Sequence, residues 1–232
     1  TYVAARAADY ETFGRTLKYA EDRNLLSGLK DNWLALVKAS YLPLRHYEAG
    51  ANMIATNAIR YCWGSTLAQA YAFSAFDRIG NAQMHTMIGL AAGNGSAVVV
   101  DEVKQNWLEA EHLQPLRRYV ETAIVEKDHS SGIIALDMID AHLFPLMHTY
   151  TDEHAITGGA GVVSLLGQHF TSWYGDQKKW LDPLIKAYAG DEEHGESNRE
   201  ALVGFIEKWL PQATEAITPI AESIDDAIEP QG

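Results

Sequence analysis

Two carboxylate–histidine pairs carry a spacing that could do metal chemistry. Glu109 with His112 and Glu126 with His129 each read Glu-x-x-His. An i,i+3 separation sets both side chains on one face of a helix, the way helical bundles hold two irons. A charged surface is the competing reading and the better supported one. Glu111, Arg117, Arg118, Lys127 and Asp128 surround the pairs, and Pro115 lies between them. The pairs are 17 residues apart, too close for two long facing helices. Nine histidines also invite a haem, but no Cys-x-x-Cys-His occurs. His46, His85, His142, His148 and His169 read instead as core residues on apolar faces. Gly158-Gly159-Ala160-Gly161 follows no strand pattern and lacks the order of a dinucleotide loop. Nothing resembles a nucleophile elbow.

The remaining candidates are two charges in an otherwise uncharged stretch. From Tyr61 to Val100 the only formal charges are Asp77 and Arg78. Between Gly64 and Gly93 the spacing predicts one long helix, with Leu67, Tyr71, Phe73, Phe76, Ile79, Met84, Met87 and Ile88 pointing in nearly every direction. A helix apolar all round belongs in a core or a membrane. An Asp-Arg pair inside it is costly unless each member finds a partner.

The elements that must position these residues are helical almost throughout. Tyr2–Asp22 reads as a first helix. A second starts near Asp31, an expected N-cap, and is kinked by Pro43 on its way to Cys62. Val98-Val99-Val100 could form a short strand, after which helical spacing resumes through Leu113. Pro115 opens a further helix, and His129-Ser130-Ser131-Gly132 reads as a break or cap. A strongly apolar helix from Ile133 to Tyr150 is kinked at Pro145. The next opens at Gly158–Gly161, and Asp191-Glu192-Glu193 reads as a solvated break. A last amphipathic helix precedes an acidic tail ending at Gly232.

The expected architecture is all-α, a bundle of about eight helices forming one domain over residues 1–232. A length of 232 residues with 47% hydrophobic content supports such a core. A net charge of −13 argues against nucleic acid and anionic membranes. Asp77-Arg78 at the middle of the longest apolar run argues against a bilayer span. The single cysteine, Cys62, excludes an internal disulfide and suits a reducing cytoplasm.

Three segments, PLRHYEAGANM (Pro43 to Met53), LQPLRRYVETAIVEKD (Leu113 to Asp128) and NREALVGFIEKWLPQATEAI (Asn198 to Ile217), carry a family resemblance. In this order they resemble the small β subunit of the hydroxylase in soluble bacterial multicomponent monooxygenases, the group that oxidises methane, propane, alkenes, toluene and phenol. The resemblance implies a ferritin-like helical bundle. In that group the catalytic α subunit holds two irons on two lone Glu residues and two D-E-x-x-H motifs. By the resemblance, Asp77 and Arg78 to Asn81 fall at the first motif, with Arg78 for the Glu and Asn81 for the His. Asp176 and Gln177 to Trp180 fall at the second, with Gln177 and Trp180 substituted. Glu48 matches the first lone Glu and Leu143 the second.

The resemblance therefore implies a chain with no catalytic or metal-ligating residue of its own. Arg78 is expected to enter the vacated cavity and pair with Glu48, and Trp180 to fill volume as a steric plug. Two irons are expected in a partner α subunit, within an (αβ)2 or (αβγ)2 assembly served by a regulatory protein and an NADH reductase. Such β subunits carry an N-terminal arm that this chain lacks, and His129 stands where an aromatic is expected. The rival readings are a ferritin-like oxidase active in its own right and a stand-alone helical interaction module.

Overall fold

Two prolines shape the inner helices. In the computed structural model, which describes residues 1–228, α1 (Tyr2–Asp22) is followed by α2 (Asp31–Leu36). A π-helical turn, Val37–Tyr41, leads from α2 to Pro43 and into α3 (Leu44–Tyr61). Pro43 has no N–H to give the carbonyl four residues back. That carbonyl, on Ala39, lies 3.2 Å from His112 Nε2, and the Leu42 N–H reaches back to Val37 at 2.9 Å. After α4 (Ser65–Ala92), α5 (Val98–Glu109) and α6 (Gln114–Ile124), the second proline repeats the device. α7 (His129–Pro145) passes through a π-helical turn, Leu146–Tyr150, into α8 (Thr151–Gly158). α9 (Gly161–Ala189) and α10 (Gly195–Ile228) complete the chain. The ten segments make eight rods, and no strand occurs among the described residues.

α3, α4, α7 and α9 enclose the centre, α1 lies on α4 and α9, and α10 crosses α6 and α7. One apolar core runs through these helices from Phe13 to Ile224. A smaller cluster of Ala58, Tyr71, Ile133 and Leu181, with Trp180 against it, packs beyond the centre.

Several local expectations are corrected. Val98–Val100 begins α5 rather than a strand, because Val99 and Val103 share one helical face buried in the core. Lys30, not Asp31, is the cap of α2, and Asp31 sits in the first turn, where its carboxylate meets the positive end of the helix. Asp128 is the residue that caps α7, its Oδ1 accepting from Ser130 and Ser131 N–H at 2.8 and 3.2 Å. The acidic residues Glu222, Asp225 and Asp226 lie on α10, and the rest of the expected tail, residues 229–232, lies outside the described residues.

α4 is only half buried. Asp77, Arg78, Asn81, His85 and Ile88 face inward, while Phe76 is 64% and Ile79 50% exposed, with Phe73 and Met87 also outward. Apolar spacing alone does not separate a core face from an uncovered one. No helix among the described residues is long and apolar enough to cross a membrane.

Candidate functional site

The centre of the bundle is ionic. α3 supplies Tyr47 and Glu48, α4 supplies Ser74, Asp77, Arg78 and Asn81, α7 supplies Asp140, and α9 supplies Trp173 and Gln177, every one of them buried. On α4 the spacing 74, 77, 78, 81 is one inward face of a 3.6-residue helix. Arg78 is 1% exposed, and its Nη1 donates to Glu48 Oε2 at 3.1 Å and to Asp140 Oδ1 at 3.1 Å. Its Nη2 donates to Asp140 Oδ2, so the guanidinium holds Asp140 with both prongs of its fork. Tyr47 donates its hydroxyl to Asp140, and Asn81 Nδ2 approaches Glu48 Oε1 at 3.4 Å. The Trp173 ring lies 4.5 Å below the guanidinium carbon, close enough for cation–π attraction.

One cation serves two carboxylates here, and the protonation equilibria show the imbalance. Burial pushes the Glu48 carboxyl up to about 7, because Arg78, already shared with Asp140, offsets only part of the lost hydration. Burial also works against the Arg78 charge, yet Asp140 and Glu48 together hold its pKa above the usual value. Near neutral pH the cluster therefore reaches charge balance when Glu48 takes a proton.

A second ionic knot ties α1 to this centre. Asp77 accepts from Tyr2 Oη at 2.6 Å, Arg6 Nε at 3.1 Å and Trp173 Nε1 at 3.1 Å. Arg6 Nη1 also reaches Asp176 at 3.1 Å. The two aspartates, 99 residues apart in sequence, are thus joined by one arginine. Gln177 Oε1 accepts from Ser74 Oγ at 3.0 Å and from Trp180 Nε1 at 3.1 Å.

Of the positions singled out in the sequence, Glu48, Arg78 and Asn81 meet at the centre, and Asp77 and Gln177 adjoin it. Leu143 does not: it is a core apolar residue, and Asp140, one turn earlier on α7, is what faces Arg78. Trp180 is half-buried at the edge, lining a residual cavity of about 20 Å³, and Trp173 is the ring packed on Arg78. Asp140, Arg6 and Tyr2 were missed by sequence reasoning. Asp137 and Asp140, an i,i+3 acidic pair inside the apolar run of α7, were the available signal for the first.

The two Glu-x-x-His pairs have separate structural roles. Glu109 is exposed, and His112 Nε2 serves the Ala39 carbonyl that Pro43 leaves open. Glu126 accepts from Lys208 and from the backbone N–H groups of Lys127 and Asp128, while the His129 ring lies edge-on to Tyr71. No group of three or more His, Cys, Asp or Glu side chains among the described residues could hold a metal ion. At the centre the carboxylates are engaged by a guanidinium, which offers no lone pair, so the donor set there does not fit a di-iron site.

Known proteins share this arrangement. The family model for methane/phenol/alkene hydroxylases matches residues 1–192. The chain is 33% identical over 222 residues to the phenol 2-monooxygenase oxygenase component DmpL of Pseudomonas sp. (strain CF600), covering 95% of this chain. It is 30% identical to the corresponding component MhpL of Acinetobacter pittii (strain PHEA-2), over the same share of this chain. The chain spans 66% of the length of each of these relatives. A solved phenol hydroxylase from Pseudomonas sp. OX1 superposes with a TM-score of 0.90 at 32% identity, over 97% of this chain and 70% of that one. Toluene 4-monooxygenase superposes with a TM-score of 0.80 at 18% identity, over 98% of this chain and 74% of that one, a likeness of fold. With the family model matched over most of its length and relatives at a third identity along nearly all of it, this chain belongs to the methane/phenol/alkene hydroxylase family.

Proposed function

We propose that this chain is the non-catalytic β subunit of a multicomponent monooxygenase hydroxylase, one helical domain that supports a catalytic α subunit. The observation that carries the reading is Arg78 clasping Glu48 and Asp140 at the bundle centre. In a helical carboxylate site those anions would ligate metal. Here a fixed cation from the chain neutralises them instead, and the site becomes part of the scaffold. The lost ligand positions are Glu48, Arg78, Asn81, Gln177 and Trp180, with Asp140 in place of Leu143 for the remaining one, and Asp77 and Asp176 retained beside them. Two irons in the α subunit would supply the O2 chemistry. This chain's residues hold its own helices in register and present a surface to that partner.

The outward face of α4 supports the partnership. Across all 28 residues of α4 the only charges, Asp77 and Arg78, point inward. In a chain of net charge −13 that leaves a long, charge-free helical face carrying Phe76 and Ile79, the composition of an interface core rather than of open surface. An (αβ)2 or (αβγ)2 assembly in the cytoplasm, with a regulatory protein and an NADH reductase, completes the proposal. The relatives' names point to a phenol as the substrate of the assembly.

Co-expression with a neighbouring gene that encodes two intact D-E-x-x-H motifs tests the reading. The expected result is a stable complex whose NADH-dependent hydroxylation requires both chains. Full activity from the α chain alone, or from this chain alone, would overturn it.

A further inference from the structure

Two turns along the bundle from Arg78, a second set of buried polar groups lies outside the ionic cluster. Phe170 on α9 is sandwiched between the rings of His85 and His148, at centroid distances of 4.4 and 4.9 Å, and Tyr41 meets His148 edge-on at 5.4 Å. Tyr41 and His148 come from the two π-helical turns. All four side chains are buried, yet Tyr41 Oη and His148 Nδ1 have no hydrogen-bond partner in the protein. Buried polar atoms without a protein partner are the exception, and an ordered water is the usual reason.

Gly167, one turn before Phe170 on α9, shows where such a water has room. A Cβ built there would meet nothing nearer than His148 Nδ1 at 3.7 Å and Tyr41 Oη at 3.9 Å. The two unpartnered atoms thus border one niche that the glycine leaves open. Their protonation suits a bridge. Burial holds Tyr41 protonated, so it is a donor, and lowers His148 to about 3, so its imidazole is neutral and can accept at one nitrogen.

We infer that the niche beside Gly167 is a binding site for one internal water, which accepts from Tyr41 Oη and donates to His148 Nδ1. Gly167 is then a positioning residue that keeps the water's place free of a side chain.

The sign of one substitution tests this. Gly→Ala inside a helix normally stabilises, and the 3.7–3.9 Å contacts leave room for the methyl group. If the water is present, Gly167→Ala in the full chain displaces it, strands both polar atoms and lowers Tm. Gly167→Ser, a poorer helix former, then melts above Gly167→Ala because its hydroxyl replaces the water. In a Tyr41→Phe background the Gly167→Ala penalty shrinks. A crystal structure of the unsubstituted chain shows a water within hydrogen-bond reach of both atoms. A rise in Tm for Gly167→Ala, the same in both backgrounds, or an empty niche in the crystal, overturns the inference.

Discussion

Replacing Arg78 by methionine is the perturbation from which the geometry makes its sharpest demand. Methionine keeps much of the side-chain volume, so the loss is chiefly electrostatic. The guanidinium makes charged hydrogen bonds to Glu48 and, through both Nη atoms, to Asp140, with Arg78 1% and Asp140 4% exposed. Removing the cation strands two carboxylates side by side out of water. Breaking a buried pair in this way costs about 3–5 kcal/mol. In a domain of this size that corresponds to a fall in Tm of about 6–20 °C. The stranded carboxyls would take up protons in the folded state, raising their folded pKa above the unfolded value. The variant's stability is therefore retained at low pH and lost as pH rises, so the deficit is larger at pH 8 than at pH 5. Urea unfolding followed by far-UV circular dichroism at both pH values reads the effect. The triple variant Arg78→Met, Glu48→Gln, Asp140→Asn should recover most of the loss. A deficit for Arg78→Met below about 1 kcal/mol, the range of an exposed pair, with no pH dependence, would refute the reasoning.

Three other outcomes follow from the same contacts. Glu48, raised from near 4.5 to about 7 by burial, contributes stability that is present below the unfolded value and lost as pH climbs through the folded one. Glu48→Gln should flatten that slope, worth about 3 kcal/mol between pH 4.5 and 7, and an unchanged slope in urea melts would count against it. The histidines act in the opposite direction: burial lowers His148 to about 3 and His169 to about 4, so their contribution holds above the unfolded pKa and drains away as pH falls. His148→Phe should lower the midpoint of acid unfolding, removing a destabilisation of about 3 kcal/mol at pH 4; an acid titration with the same midpoint would sink that claim. Arg6→Ala should free the first turns of α1, costing about 1.5–3 kcal/mol for the charged bonds to Asp77, and hydrogen exchange over residues 2–10 should quicken while the centre stays protected.

The all-helical fold was legible because apolar spacing persists along nearly the whole chain and two prolines mark where the inner rods bend. The form of those bends was not. Whether Pro43 gives a simple kink or a π-helical turn depends on His112, about 70 residues away, arriving to serve the Ala39 carbonyl. The Arg78–Glu48 pair was legible because a lone Asp-Arg in an uncharged stretch needs a partner and the family pattern named one. Asp140 escaped because the resemblance pointed to Leu143, one helical turn along, and a helix offers an inward position at both. The Arg6 bridge between Asp77 and Asp176 was hidden for another reason: α1 carries the ordinary charge content of a surface helix, and nothing local marks Tyr2 and Arg6 as the pair that reaches inward. The exposed face of α4 shows the same limit, since a helix covered by a partner subunit and one covered by its own fold carry the same apolar spacing.

Iron analysis bears most directly on the central claim, that a guanidinium holds the anions where a hydroxylase centre would bind metal. The full chain would be incubated anaerobically with excess Fe(II), desalted and assayed, alone and in complex with its α partner. The account predicts no bound iron in the chain alone and about two irons per αβ pair in the complex. Stoichiometric iron in the isolated chain would contradict it.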